Sequence, residues 1–259
     1  MEDESITPEH RDFVGALASG LVVIQAFDAS HRQMTLSEVA ERAGMDRAKA
    51  RRFLLTLHSL GFIRRDGRLF MLTPKVLSLG YAYSAGNDYL PVVEHYLHEV
   101  TAELGESCSL AVLDGQDIIY FVRSSAAHRL MSINLSAGIR LPAAYTSMGR
   151  VLAAQLGADR KEEWLNGVSF SAYTSFSVKD KASLSSELQK VSAQGYCIVD
   201  QELELGLRSL AAPAFNHKGH LIGAVNISTN ALRVSLEDLK ERCLPVLMSA
   251  IENIRVHTR

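Results

Sequence analysis

Apolar and polar positions alternate along this chain with two different periods, and the change falls after Gly105. Before it the period is that of helices. Residues 9–27 place Phe13, Leu17, Leu21 (or Gly20) and Ile24 on one face of a first helix. Thr35 stands three residues before Glu38, the spacing of a capping box, and Leu36, Val39, Ala40 and Ala43 share a face behind it. Gly44 can close that helix in the left-handed conformation. Asp46 then caps a second helix with an apolar stripe of Ala50, Phe53, Leu54, Leu57 and Leu60. Arg64 to Arg68 reads as a hairpin tip with Asp66-Gly67 as the turn pair and residues 69–72 as the return strand. Pro74 suits the first turn of a short helix with Val76, Leu77, Leu79, Gly80 and Tyr83, apolar on more than one side, as in a joint between domains or a dimer seam. Residues 87–104 form the next helix, with Leu90, Val93, Leu97, Val100 and Leu104 inward and Gly105 as its stop.

Beyond Gly105 short strands appear. Residues 109–113 and 118–122 flank Asp114-Gly115-Gln116-Asp117, a hairpin signal. Residues 129–135 read as a third strand, and Arg140-Leu141-Pro142 follows Gly138. Helices are expected over 147–156, 159–165 and 181–194, strands over 196–199, 210–215 and 221–227, and a final helix capped by Ser235 to about Val256. Strands gathered into hairpins, without regular strand–helix alternation, predict an α+β domain on an antiparallel sheet rather than a doubly wound fold. The boundaries predicted are 1–73 for a winged helix-turn-helix domain, 74–86 for a linker helix and 87–259 for a second domain.

Charge adds to this picture. Between Arg42 and Arg68 lie eight basic residues (Arg42, Arg47, Lys49, Arg51, Arg52, Arg64, Arg65, Arg68) and two acidic ones (Asp46, Asp66), net +6 in a chain of net −2. The outward face of the second helix carries Arg47, Lys49, Arg51, Arg52 and Thr56, and the hairpin adds Arg64, Arg65 and Arg68. A second helix entering the major groove, with a basic wing on the sugar-phosphate, uses such residues, and Thr35 at the first helix start joins the candidate DNA contacts. A solvated basic face is the alternative for an isolated charge run; caps, stripe, turn and wing in order favour duplex DNA as partner.

The remaining composition mostly excludes. No apolar run of about 18 residues predicts a membrane span. The acidic start MEDESITPEH does not resemble a signal peptide, and three scattered cysteines without a CxxC pair fit a reducing cytoplasm. No GxSxG, Walker loop, HExxH or GxGxxG occurs, so neither an enzyme nor a cofactor is expected. His95 and His98, with Glu94 and Glu99 beside them, have metal-ligand spacing but no evident third ligand, so no metal is expected. Glu202 and Glu204 lack a nucleophile to serve, and Cys108 reads as a small core residue.

Several segments occur together in one order: LHSLGFIRRD within the winged region, LTPKVLSLGYAY, LPAAYTSMGRVLAA, GYCIVDQELELGLRSLAAPAF and GAVNIS. On these, the chain resembles IclR-type bacterial transcriptional regulators over about residues 10–256. QELELGLRS and TSMGR resemble the branch controlling protocatechuate, 4-hydroxybenzoate and β-ketoadipate catabolism. The resemblance implies a GAF-like effector-binding domain that is not an enzyme, a homodimer or homotetramer, an operator partner, and a small aromatic or dicarboxylic acid as effector. By position it places the effector pocket on Leu130, Ile133, Ser147, Met148, Leu207, Ser209, Asn226 and Ser228, with Tyr145 and Thr146 flanking.

Apolar walls with a few hydroxyl and amide groups suit a small acid. Ser147 and Met148 start a helix whose free amides suit a carboxylate; Ser147 as simple helix cap is the plainer reading. Arg123, on a strand face shared with Ile119 and Phe121, is either in the pocket or at its rim. Arg208 reads as structural, paired with Glu202 or Glu204. The competing class of function is a metabolite-binding or catalytic domain whose winged helix meets protein instead of DNA; the basic enrichment of residues 42–68 separates the two.

Overall fold

The computed structural model describes residues 7–125 and 137–258. It divides into two compact units, Met1–Gly86 and Asn87–Arg259. The first holds helices α1 (Gly15–Gln25), α2 (Leu36–Arg42), α3 (Arg47–Ser59) and α4 (Leu77–Ala85), and strands β1 (Met34–Thr35), β2 (Ile63–Asp66) and β3 (Leu69–Leu72). The strands form one antiparallel sheet in the order β1-β3-β2. This is a winged helix-turn-helix. Both predicted caps form: Thr35 and Glu38 make the capping box, and Asp46 accepts from the Lys49 amide at 2.8 Å.

Three local expectations for this unit are corrected. The core takes Val23 from α1, whereas Leu17 and Leu21 are exposed; α1 is apolar all round, so periodicity does not choose its buried side. Leu60 is 53% exposed because it lies at the end of α3, where the stripe runs off the core. The wing pairs Asp66 with Leu69, so its two-residue loop is Gly67-Arg68, with Gly67 at φ 55°. Glycine first in the loop with positive φ suits a type II′ turn, which matches strand twist.

The second unit is a six-stranded antiparallel sheet in the order β6-β5-β4-β9-β8-β7. Its strands are β4 (Ser107–Asp114), β5 (Asp117–Ser124), β6 (Arg140–Pro142), β7 (Cys197–Asp200), β8 (Leu207–Phe215) and β9 (Leu221–Asn230). Helices α5 (Leu90–Leu104) and α10 (Leu244–His257) cover one face, where Val93, Leu97, Leu110, Val225 and Leu247 pack. Helices α6 (Ser147–Ala154), α7 (Ala158–Asn166) and α8 (Lys181–Gln194) cover the other, with Ala111, Tyr120, Met148, Trp164, Leu188 and Ala224. The short helix α9 (Leu236–Asp238) leads through a π turn, Leu239–Cys243, into α10, so the expected single last helix is interrupted. The α+β layout on an antiparallel sheet is as the sequence implied. Strands β8 and β9 are each three residues longer than expected, since Leu207–Ser209 and Ser228–Asn230 continue the ladder although Arg208, Ser209 and Ser228–Asn230 are polar and do not read as strand.

The expected strand over 129–135, together with Leu130 and Ile133, lies outside the described residues. Arg208 binds Asp200 through two hydrogen bonds of 2.8 and 2.9 Å and donates to the Val234 carbonyl, not to Glu202 or Glu204. Strand register explains this: Asp200 faces Arg208 across the β7–β8 pair.

Candidate nucleic-acid interface and effector cavity

On the winged unit, Arg47, Lys49, Arg51, Arg52, Thr56, Arg64, Arg65 and Arg68 are all exposed. Ala50, Leu54 and Leu57 anchor α3 inward, which turns Ala48 and Arg52 to the centre of its outer face with Arg51 and Thr56 beside them. Among the described residues, the side chains of Arg47, Lys49, Arg51, Arg52, Arg64 and Arg68 make no ion pair or hydrogen bond. Their charge is left for an external anion. Arg42, from the basic count, and two of the candidates, Arg65 and Thr35, are committed within the protein. Arg42 donates to the Ala26 carbonyl at 2.8 Å and to Asp28 at 2.6 Å, which removes it from the basic surface. Arg65 donates to the Gly67 carbonyl and lies over the Phe70 ring, bracing the wing. The Thr35 hydroxyl donates to Glu38 at 2.8 Å.

In the second unit a small cavity, partly open to solvent, lies between the sheet and the start of α6. Of the expected effector residues, Thr146, Ser147, Met148, Leu207, Ser209, Asn226 and Ser228 line it. Alternation puts Ser109, Asn226, Ser228 and Ser209 on the same side of the sheet, since Ser109 faces Asn226 and Ser228 faces Ser209 across the ladders.

Thr146, not Ser147, caps α6: its hydroxyl oxygen accepts from the Gly149 amide at 3.0 Å. Ser147 is therefore released from capping. Its Oγ, in a residue only 1% exposed, has no hydrogen-bond partner among the described residues. The same holds for Asn226 Oδ1 at 2% exposure, while Asn226 Nδ2 donates to Ser228 Oγ at 2.9 Å. Two buried polar atoms without partners line one cavity; each costs about 1–3 kcal/mol unless something completes it.

Arg123 does not line the cavity wall, yet it belongs to that side of the sheet. A bulge in the β4–β5 pair matches Leu110 with Val122 but Ala111 with Tyr120, leaving Phe121 as the extra residue. The slip of one residue reverses the faces beyond it. Arg123 therefore sits on the Tyr120 side, paired with Ser109, and Phe121 packs against the α5–α10 layer, so the shared face with Ile119 and Phe121 is not what forms. The Arg123 guanidinium donates to Ser109 Oγ at 3.3 Å.

Tyr120, Leu141, Tyr145, Val199, Glu202 and Leu203 complete the lining. Burial pushes the Tyr120 phenol up to about 12, so it remains a neutral hydroxyl. From the sequence Glu202 was legible only as a partner for Arg208 or as a carboxylate with no nucleophile to serve. In the structure it receives a bidentate clasp from Arg150 at 2.7 and 2.6 Å, and its second oxygen accepts from the Val178 amide. Arg150, 1% exposed, also donates to the Ala144 carbonyl. This buried pair holds the turn of 201–206 against α6. A lone arginine in the apolar helical run SMGRVLAA was the available signal, because a buried guanidinium needs a carboxylate. Gly149 permits the contact: a Cβ there would lie 2.2 Å from the Ala143 carbonyl oxygen.

His95 and His98 diverge: His95 meets Glu99, and His98 meets Ser124 Oγ at 3.2 Å. Among the described residues no cluster of three metal-ligating side chains occurs, and no helix is long and apolar enough to cross a membrane. The three cysteine thiols are buried, and burial raises each above its ordinary range.

Comparison with known proteins adds to this geometry. Residues 82–255 match the model described as "Bacterial transcriptional regulator IclR C-terminal", and residues 16–67 match the "IclR helix-turn-helix domain". The Pca regulon regulatory protein of Pseudomonas putida is 42% identical over 243 residues, covering 94% of this chain and 84% of that protein. The p-hydroxybenzoate hydroxylase transcriptional activator of Acinetobacter baylyi is 31% identical, covering 94% and 92%. The inducer-binding domain of the Acinetobacter PobR transcription factor, a double mutant solved with 3-hydroxybenzoic acid, is 28% identical with a TM-score of 0.61, covering 64% of this chain and 97% of that one.

Proposed function

We propose, for a chain that belongs to the IclR family of bacterial transcriptional regulators, that a small acid bound in the cavity of the second unit controls how the first unit reads an operator. The chain is a DNA-binding regulator with relatives in aromatic-acid catabolism, and those relatives are regulators, not enzymes. The acid is of the aromatic or dicarboxylic class, with protocatechuate, 4-hydroxybenzoate and β-ketoadipate as the first candidates. The observation that carries this reading is the pair of buried atoms, Ser147 Oγ and Asn226 Oδ1, that line one cavity with no hydrogen-bond partner among the described residues.

Each part of the acid has a counterpart. The first turn of α6 offers free amides and the Ser147 hydroxyl to a carboxylate. Met148, Leu141, Val199, Leu203 and Leu207 supply apolar walls for a ring or chain. Asn226, Ser209 and Ser228 offer polar contacts at the sheet. Arg123, on the same side of the sheet, supplies positive charge at the rim; Leu130 and Ile133, which the resemblance also assigns to the pocket, lie outside the described residues.

On the DNA side, Arg47, Lys49, Arg51, Arg52 and Thr56 meet the major groove, Arg64, Arg65 and Arg68 meet the backbone, and Thr35 anchors the helix start. Two copies reading a pseudo-palindrome fit this geometry, as a homodimer or homotetramer. The acid shifts the protein between two states only by its differential affinity for them. The test uses the single tryptophan, Trp164, buried in the layer over the cavity face. Titrating the three acids should quench or shift its emission for at least one, and Asn226→Leu should abolish the response. Equal response in that variant, or none to any acid confirmed by calorimetry, contradicts the reading.

A further inference from the structure

We infer that Lys75 is a positioning residue that locks the end of α3 to the first turn of the linker, so that α3 follows the linker instead of moving independently of it. This rests on reading α3 as the helix that enters the DNA groove.

A helix leaves its last carbonyls without partners. Just past α3 the carbonyls of its C-cap residue Leu60 and of the next two residues, Gly61 and Phe62, are taken by Thr73 and Lys75, which flank Pro74 at the start of the linker. The Lys75 ammonium donates to the Leu60 carbonyl at 2.7 Å, the Thr73 hydroxyl to Gly61 at 2.6 Å, and the Thr73 amide to Phe62 at 2.9 Å. The ammonium also stands 5.1 Å from the centre of the Phe62 ring, a cation–π contact. A cation there complements the negative end of the helix dipole. On its other side Lys75 is tied to α4: the Ser78 hydroxyl donates to the Lys75 carbonyl at 2.7 Å. One residue thus holds α3 with its side chain and α4 with its backbone. The joint it spans contains Gly61 at φ 79°, where the chain would otherwise turn most freely. Without the clasp, a displacement of α4 would be absorbed at that joint. With it, the displacement reaches the groove-reading face of α3.

The test is a double-mutant cycle on the full chain, read as operator affinity without any acid present. Gly80→Pro breaks α4 in its middle and is expected to weaken operator binding about tenfold. In the Lys75→Met background the same change should cost about twofold or less, because the linker no longer steers α3. Lys75→Arg should restore the tenfold sensitivity. Equal losses in both backgrounds overturn the inference. So does a fall of about one in the salt slope on Lys75→Met, which would make Lys75 a phosphate contact. If Gly80→Pro fails to fold by its melting curve, Tyr81→Gly, at an exposed position where glycine weakens the same turn of α4 and leaves its backbone amide in place, serves in the same cycle. No duplex affinity in the unmodified chain would sink the DNA reading and this inference together; additive losses with normal DNA binding would sink this inference alone.

Discussion

The basic face of the winged unit and the cavity of the second unit solve opposite problems. The first is exposed charge: six cationic side chains with no partner among the described residues stand on a helix and hairpin whose apolar side chains face the core. The second is buried polarity: hydroxyls and an amide are enclosed by apolar walls and lean on a buried ion pair. Charges on a surface act nearly independently and are weakened by salt. Groups in a cavity act as one object, and moving any wall moves the site. Substitutions should therefore be graded and local on the DNA face, and abrupt in the cavity.

The largest effect is expected at Gly149. Its Cβ would overlap the Ala143 backbone, so Gly149→Ala should destabilise the second unit by about 3 kcal/mol or more, seen as a lowered melting temperature. An unchanged melt would mean that α6 is not packed as described. Breaking the buried pair with Glu202→Gln or Arg150→Met should cost about 3–5 kcal/mol, because one charge is left buried without its partner. If the comparison is sound, neither change alters the salt dependence of DNA binding.

On the other region, Arg52→Ala should leave the melt within about 0.5 kcal/mol and cost about 1–3 kcal/mol in operator affinity. Arg64→Ala should weaken specific and non-specific duplexes alike and reduce the salt slope by about one. Loss of sequence preference on Arg64→Ala would reverse the roles of helix and wing. Asn226→Leu sharpens the contrast: it removes an oxygen without a partner among the described residues but also the hydrogen bond to Ser228 Oγ, so stability should change by no more than about 1 kcal/mol while acid affinity falls.

The smallest effect concerns pH. Burial lifts Tyr120 from 10.0 and Cys197 from 9.0, both to about 12. The folded state thus holds these protons more tightly than the unfolded chain does. Their contribution is fully present below pH 9.0 and is lost as pH rises toward about 12. Melting temperatures should stay level from pH 7 to 9 as far as these groups are concerned and fall above that.

Legibility followed the same divide. Caps, stripe and basic outer face on α3 are local in sequence, so spacing alone placed Arg47, Lys49, Arg51 and Arg52. The cavity draws on β5, β6, the start of α6, β7, the 201–206 turn, β8 and β9, and no local pattern joins them. Resemblance supplied Ser147, Asn226 and Ser228. It did not supply the bulge at Phe121 that turns Arg123 toward the cavity side, because a one-residue slip is set by packing of both strands. Nor did it supply the Arg150–Glu202 clasp, whose partners stand 52 residues apart. The wing turn was missed by one residue, since Asp-Gly and Gly-Arg both satisfy a two-residue loop until the β2–β3 register is known.

The central claim is that acid in the cavity changes how the winged unit holds DNA. The most direct measurement is fluorescence anisotropy of labelled duplex from upstream of this chain's gene, titrated with protein alone and with protocatechuate, 4-hydroxybenzoate or β-ketoadipate. The account predicts a change of about fivefold or more in duplex affinity with at least one acid, within the usual span of coupling between sites, and its loss in Asn226→Leu. Duplex binding that all three acids leave unchanged, although one of them is shown by calorimetry to bind, would contradict it.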